Sequence, residues 1–218
     1  MTLALFDLDN TLIAGDSDHL WGEFLLKHGH VEDEEFRQQN DAYYADYLRG
    51  ELDMDAYLRF ALEPLTYFTA AQLRQLHEQF MRESIEPIWL PKAEALVEQH
   101  RKLGHRLAVI TATNRFIVEP IVDRFEIDDL ICSEPEVIAG TYTGEFIGTP
   151  CYAEGKVTCM GEWLKKNPGE NLDEAWFYSD SHNDLPLLSR VTNPVAVDPD
   201  EKLAEQAKKE GWAILSLR

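Results

Sequence analysis

Two aspartates one residue apart, Asp7 and Asp9, close the apolar run Leu3-Ala4-Leu5-Phe6. Farther along, Thr111-Ala112-Thr113-Asn114 follows the apolar stretch LAVI, and Lys156 opens a helical stretch in AEGKV. Ser179-Asp180-Ser181-His182-Asn183-Asp184 follows WFY. Carboxylates crowded together repel one another unless a divalent cation joins them. Ligands that are all oxygen suit Mg2+, which keeps several of its waters. A carboxylate aimed at phosphorus can act as a nucleophile and form an acyl phosphate. A second carboxylate two residues on can protonate the leaving oxygen and then deprotonate an attacking water. A lysine ammonium and a threonine hydroxyl can hold the remaining phosphoryl oxygens as charge shifts.

Such groups meet only if the chain brings them together. The apolar runs ending at Phe6, Ile110 and Tyr178 read as buried strands, and the stretches between them have helical spacing. Strands alternating with helices predict an α/β fold, a Rossmann-like doubly wound parallel sheet. The carboxyl ends of its strands share one edge, where such sheets bind ligands. VIAGTYTGEFIG alternates around glycines and reads as a hairpin. Between the first strand and the rest, about Asp16 to Glu86 reads as helices, one stopped at Gly29 and one introduced by Thr69 as an N-cap. This predicts a core of residues 1–14 plus 87–218 and an inserted helical cap of residues 15–86.

The chain has 218 residues and 44% hydrophobic content, enough for a sizeable core. Its formal net charge is -20, which repels nucleic acid and anionic membrane surfaces. No apolar run approaches the roughly 18–20 residues that span a bilayer. Asp7 interrupts the N-terminal run, which has no basic residues before it, so it does not read as a signal peptide. Cys132, Cys151 and Cys159 are odd in number and form no CxxC pair. They read as reduced thiols, so the expected setting is cytoplasmic. The expected partner is a small phosphate ester, and the protein a monomer or dimer.

The segment DLDNT resembles the DxDxT/V signature of the haloacid dehalogenase (HAD) superfamily. Thr111 resembles its second motif, Lys156 its third, and SDSHND its acidic fourth, in the family's order. The resemblance implies that Asp7 is the nucleophile and a Mg2+ ligand. It implies that Asp9 is the general acid and base and lends a main-chain carbonyl to the metal, and that Asp180 is the third ligand. Thr111 and Lys156 would anchor the phosphate, with Asn183 and Asp184 orienting waters or Lys156. An aspartate at position 9 fits phosphatases rather than dehalogenases. The helical insert resembles the cap of the phosphoserine-phosphatase-like branch, which includes histidinol-phosphate phosphatases.

Candidate substrate contacts are Asp16, Arg59, Ala112, Thr113, Asn114 and His182. Asp16 sits where that branch carries an acid that grips the substrate's amine, and it also reads as a helix cap. Arg59 matches a carboxylate-gripping cap arginine, or else is an exposed helix residue. His182 is expected to line the site. Tyr43, Tyr44, Tyr47 and Tyr57 read as cap core, and His19, His28 and His30 as polar surface. The runs EDEE and DPDE read as solvated helix starts. A cap rich in acids and poor in cations favours histidinol phosphate, which has an amine and an imidazole but no carboxylate. Phosphoserine is the alternative. A phosphotransferase or mutase would use the same aspartates.

Overall fold

The computed structural model describes residues 2–31 and 34–218. Seven strands form one sheet: β1 (Leu3–Phe6), β2 (Arg106–Asn114), β3 (Asp129–Ile138), β4 (Thr141–Ile147), β5 (Trp176–Ser179), β6 (Asn193–Val197) and β7 (Ala213–Leu215). Their order is β4-β3-β2-β1-β5-β6-β7, parallel except for β4. The expected doubly wound α/β sheet is present. β1 lies between β2 and β5, so both its edges and both its faces are covered. That position explains an uninterrupted LALF, since strands covered on both faces read as continuous apolar runs.

Alternate residues of β1 feed opposite faces. Ala4 and Phe6 join one apolar cluster, and Leu3 and Leu5 join the other. The first cluster lies under α5 (Pro91–Lys102) and α6 (Arg115–Arg124), and the second under α7 (Glu154–Lys166), α8 (Leu185–Leu188) and α9 (Glu201–Glu210). The β3–β4 hairpin turns at Ala139 and Gly140, both with positive φ, as a two-residue turn of this hand requires. β3 runs beyond the predicted LICSE because its second half leaves the parallel sheet to pair with β4.

The insert contains α1 (Ser17–Lys27), α2 (Glu34–Arg49), α3 (Met54–Leu62) and α4 (Ala70–Phe80). Thr69 caps α4 in a capping box with Gln72, as its sequence predicts. The insert's entry and exit are paired: Ile13 bridges Trp89, and the Ala14 amide donates to the Ile88 carbonyl at 2.8 Å. Trp21, Phe24, Leu58, Leu62 and Phe80 are buried in the cluster that also holds Phe6 and Val109. One apolar mass therefore joins the insert to one face of the sheet. Of the run EDEE, Glu34 and Glu35 open α2, and Glu32 and Asp33 lie outside the described residues. Among the described residues no helix is long and apolar enough to cross a membrane. The three cysteines are unbridged.

Candidate active site

Asp7 extends β1 by one residue, its amide donating to the Tyr178 carbonyl of β5 at 2.9 Å. Its side chain is buried. Lys156 Nζ donates to Asp7 Oδ1 at 2.8 Å and to Asp184 Oδ2 at 2.7 Å. Ser179 Oγ donates to the same Asp184 oxygen at 2.7 Å. The Thr11 hydroxyl lies 3.3 Å from Asp7 Oδ2 and 3.2 Å from Asp180 Oδ1. It also accepts from the Asp180 amide at 3.1 Å. One hydroxyl thus stands between two carboxylates 173 positions apart in the chain. β1 and β5 are adjacent and parallel, so their exits open side by side.

Asp9 points another way. Its oxygens accept from the Ser17 amide at 2.7 Å and from Thr113 Oγ1 at 2.8 Å. Thr113 is held by β2, and Thr111 is buried beside it, its hydroxyl accepting from the Thr113 amide at 3.3 Å. The Ala112 carbonyl accepts from Ser133 Oγ at 2.7 Å.

Lys156 reaches the cluster because its helix begins tightly. Ala153, before α7, adopts φ 48, a conformation costly for a residue with a Cβ. A Cβ on Gly155 would come within 2.0 Å of the Pro150 carbonyl oxygen. Neither residue carries a motif that sequence reasoning flags. The single glycine and the small alanine in PCYAEGK are the available signal.

Burial dominates the electrostatics. It pushes Asp7 up to about 7, with Lys156 pulling down and Asp184 pushing up. It pushes Asp9 up to about 6, helped by Asp16 and opposed by the Ser17 bonds. Asp180 is raised well above the usual range by burial, then by Asp7 and Asp184. Burial works against the charge on Lys156, but Asp184 and Asp7 outweigh it and hold the ammonium protonated. Crowded carboxylates that take up protons when no cation is near, with only oxygens to offer, are what a hard dication stabilises. The oxygens of Asp7 and Asp180, brought together through Thr11, fit Mg2+.

Asp7, Asp9, Thr111, Thr113, Lys156, Asn183 and Asp184 form the floor of a cavity at the strand exits. The insert supplies its roof: Asp16, Asp18, His19, Tyr43, Tyr44, Tyr47 and Tyr57, with Asn40, Leu52 and Met54. The four tyrosines therefore line the cavity, and Tyr43 and Tyr57 also pack within the insert, ring to ring at 5.3 Å, so the cap-core reading holds for these two as well. His19 likewise is not simply surface, its ring stacking on Tyr44 at 4.6 Å. Asp16 caps α1, accepting from the His19 amide at 2.8 Å, and also lines the cavity.

Three expected contacts stand away from it. Arg59 is half-exposed, pairs with Glu145 at 3.0 Å and lies over the Phe146 ring. Its helix turns it toward the hairpin, so it does not line the cavity. His182 faces outward too, with Nδ1 2.7 Å from Asp200 and Nε2 3.1 Å from Lys202. Asp200, from the run DPDE, also caps α9 through the Leu203 amide. Asn114 is fully buried at the start of α6, outside the cavity wall, and its amide is without a hydrogen-bond partner. Ala112, Thr113, Asn183 and Asp184 do line the cavity. Asn183 Nδ2 donates across it to the Tyr47 carbonyl at 3.1 Å, joining the fourth motif to α2.

A parallel sheet with buried aspartates and a lysine gathered at its strand exits defines an α/β protein with an acidic site at the carboxyl edge of its sheet. The chain belongs to the haloacid dehalogenase-like hydrolases, whose family model matches residues 4–189, and within them it is a phosphatase. It is 45% identical to a histidinol-phosphatase of Neisseria meningitidis, with 99% of both chains covered. It is 32% identical to the phosphoserine phosphatase SerB1 of Mycobacterium tuberculosis, covering 99% of this chain and 70% of that one. Among solved structures, a protein of unknown function from Bordetella pertussis superposes with a TM-score of 0.92 at 40% identity, covering both chains completely. A substrate-bound phosphoserine phosphatase shares the fold, with a TM-score of 0.72 at 18% identity, covering 100% of this chain and 93% of that one.

Proposed function

We propose that the protein hydrolyses a small phosphate monoester that bears a cationic nitrogen, histidinol phosphate foremost, with Asp7 as nucleophile. The contact that supports this most directly is Lys156 Nζ at 2.8 Å from Asp7 Oδ1. It sets the nucleophile beside a cation able to hold the phosphate it attacks. An Asp7 oxygen bonds to phosphorus as the ester P–O bond breaks. Asp9, raised to about 6, gives its proton to the departing alkoxide. Asp9 then takes a proton from water as that water attacks phosphorus. The Asp7 acyl phosphate breaks at its P–O bond, releasing phosphate and the Asp7 carboxylate. Lys156 and Thr111 hold phosphoryl oxygens throughout, and Asp184 with Ser179 holds Lys156 in place.

Mg2+ held by Asp7, Asp180 and the Asp9 carbonyl would offset the charge of the phosphate in this acidic setting. We take residues 15–86 as a cap whose paired neck at Ile13 and Trp89 anchors it over the strand exits. Inside such a roof, water is excluded from the reacting groups.

Two observations support histidinol phosphate over phosphoserine. The relative at 45% identity is a histidinol-phosphatase. Among the described lining residues, Lys156 is the one permanent cation, and two aspartates already claim it. Phosphoserine brings a carboxylate that this wall would repel, while an amine and an imidazole suit acids and tyrosine faces. Release of free phosphate with Mg2+ should give a kcat/KM for histidinol phosphate roughly tenfold or more above that for phosphoserine. The reverse order would overturn the substrate. Phosphoryl transfer to an added alcohol in preference to water would overturn hydrolysis.

A further inference from the structure

Asp18, in the first turn of α1, has no task in the chemistry above. It is 5% exposed and lines the cavity roof. Neither of its carboxylate oxygens has a hydrogen-bond partner. The Tyr57 hydroxyl approaches it without reaching bonding geometry. A buried carboxylate without partners is costly, and folded proteins seldom keep one without use.

Local structure gives it none. The N-cap role belongs to Asp16, which accepts from the His19 amide. The recess behind Asp18 is lined by Trp21, Leu25, Phe60 and Pro64 among others, and none of its described lining side chains is cationic. Lys156 is engaged by Asp7 and Asp184. Burial pushes the Asp18 carboxyl well above the usual range, and the nearby charges of Asp16 and Asp9 add to this, so its charged form waits for a cation. The roof is thus short of one positive charge at a defined place, beside a tyrosine face.

We propose that Asp18 is the specificity-determining residue of the cavity and receives a cationic nitrogen of the substrate, an ammonium or a protonated imidazole. This rests on the reading that the cavity binds a phosphate ester, and it deepens that reading by assigning the cation's partner. A cationic substrate then completes an ion pair that the free protein lacks. A neutral ester leaves the buried charge alone.

The test compares wild type with Asp18→Asn on three esters: histidinol phosphate, 2-aminoethyl phosphate and, as the neutral reference, para-nitrophenyl phosphate. For each cationic ester, kcat/KM relative to the neutral one should fall roughly 30-fold in Asp18→Asn, mostly through KM. The free variant should melt no lower than wild type, because the buried carboxyl that is replaced makes no hydrogen bond in the free protein. A merely structural Asp18 would give a lower melting temperature and equal losses on all three esters. That result, or an unchanged ratio, overturns the proposal. Asp18→Ala, read in the same ratios, serves if Asp18→Asn does not accumulate. A wild-type enzyme that prefers 2-aminoethyl phosphate but ignores histidinol phosphate would sink the named substrate and leave the role of Asp18 standing. A wild-type enzyme active only on the neutral ester overturns the role of Asp18.

Discussion

The floor and the roof of the cavity are built on different rules. On the floor, at the sheet edge, nearly every functional side chain is tied to another: Lys156 to Asp7 and Asp184, Thr11 to Asp7 and Asp180, Thr113 to Asp9. Neighbouring strands fix these positions, and few rotamers remain. On the roof, the Asp18 carboxylate makes no hydrogen bond and four tyrosines line the cavity. Preorganised groups aimed at developing charge lower a barrier. Groups left wanting a partner discriminate among ligands, because only the right ligand completes them. On the proposed reading the floor does the chemistry and the roof chooses the substrate.

The harshest test of the floor is Asp7→Asn, which leaves shape intact and removes the attacking oxygen's charge. Turnover of every phosphate ester should fall by a factor on the order of 10⁴ or more in a steady-state assay. Comparable activity in that variant would place the nucleophile elsewhere. Lys156→Ala should follow, with kcat down roughly 10²–10³-fold on neutral and cationic esters alike. A loss confined to cationic esters would blur the division between floor and roof.

Gly155→Ala probes the mount rather than the group. Its Cβ would meet a main-chain oxygen at 2.0 Å, so the start of α7 must shift and carry Lys156 with it. Expected are about 1–3 kcal/mol of lost stability and roughly a tenfold drop in kcat/KM. Denaturant melts with a neutral ester assay would check both. A stable, fully active variant would show that α7 tolerates the shift.

The charge of the site predicts a pH effect on the protein without metal. Asp7, Asp9 and Asp16 are raised to about 7, 6 and 6, in each case chiefly by burial. The unfolded chain would release these protons near pH 4. The folded state binds protons that the unfolded state has lost, so these groups favour folding below about pH 4 and oppose it as pH rises to about 7. With a chelator present, the melting temperature should fall by several degrees from pH 5 to pH 8. Mg2+ should recover more of it at pH 8 than at pH 5. A melting temperature that climbs over that range in chelator would contradict the site's electrostatics.

The smallest effect belongs to Arg59→Ala. Its salt bridge with Glu145 is largely exposed, and such pairs contribute at most about 1 kcal/mol. Kinetics on histidinol phosphate and phosphoserine should change less than about threefold. A selective loss on phosphoserine would return Arg59 to the roof.

The floor was legible because its spacing is local and its strands are strongly patterned. DLDNT after LALF, Thr111 after LAVI and SDSHND after WFY each mark a strand exit, and a parallel sheet sends such exits to one edge. The roof was not legible in the same way. Helical periodicity says that Tyr43, Tyr44, Tyr47 and Tyr57 share helix surfaces, but not whether those surfaces meet apolar neighbours or a void. Arg59 and His182 were misplaced for a related reason: a motif fixes where a residue stands, while its partners, here Glu145 and Asp200, decide which way it turns.

By itself the sequence determined the fold class, the order of the elements and the identities of the acids and the lysine at the strand ends. Local pattern suffices there, since alternation, caps and glycine turns act over a few residues. Only the tertiary structure decided that Thr11 stands between Asp7 and Asp180, that Asp9 turns to Ser17, and that Asp18 is buried without a partner. Those outcomes depend on the packing of segments far apart in the chain. A carboxylate's state is set by the dielectric and the donors around it, which no spacing along one strand or helix encodes.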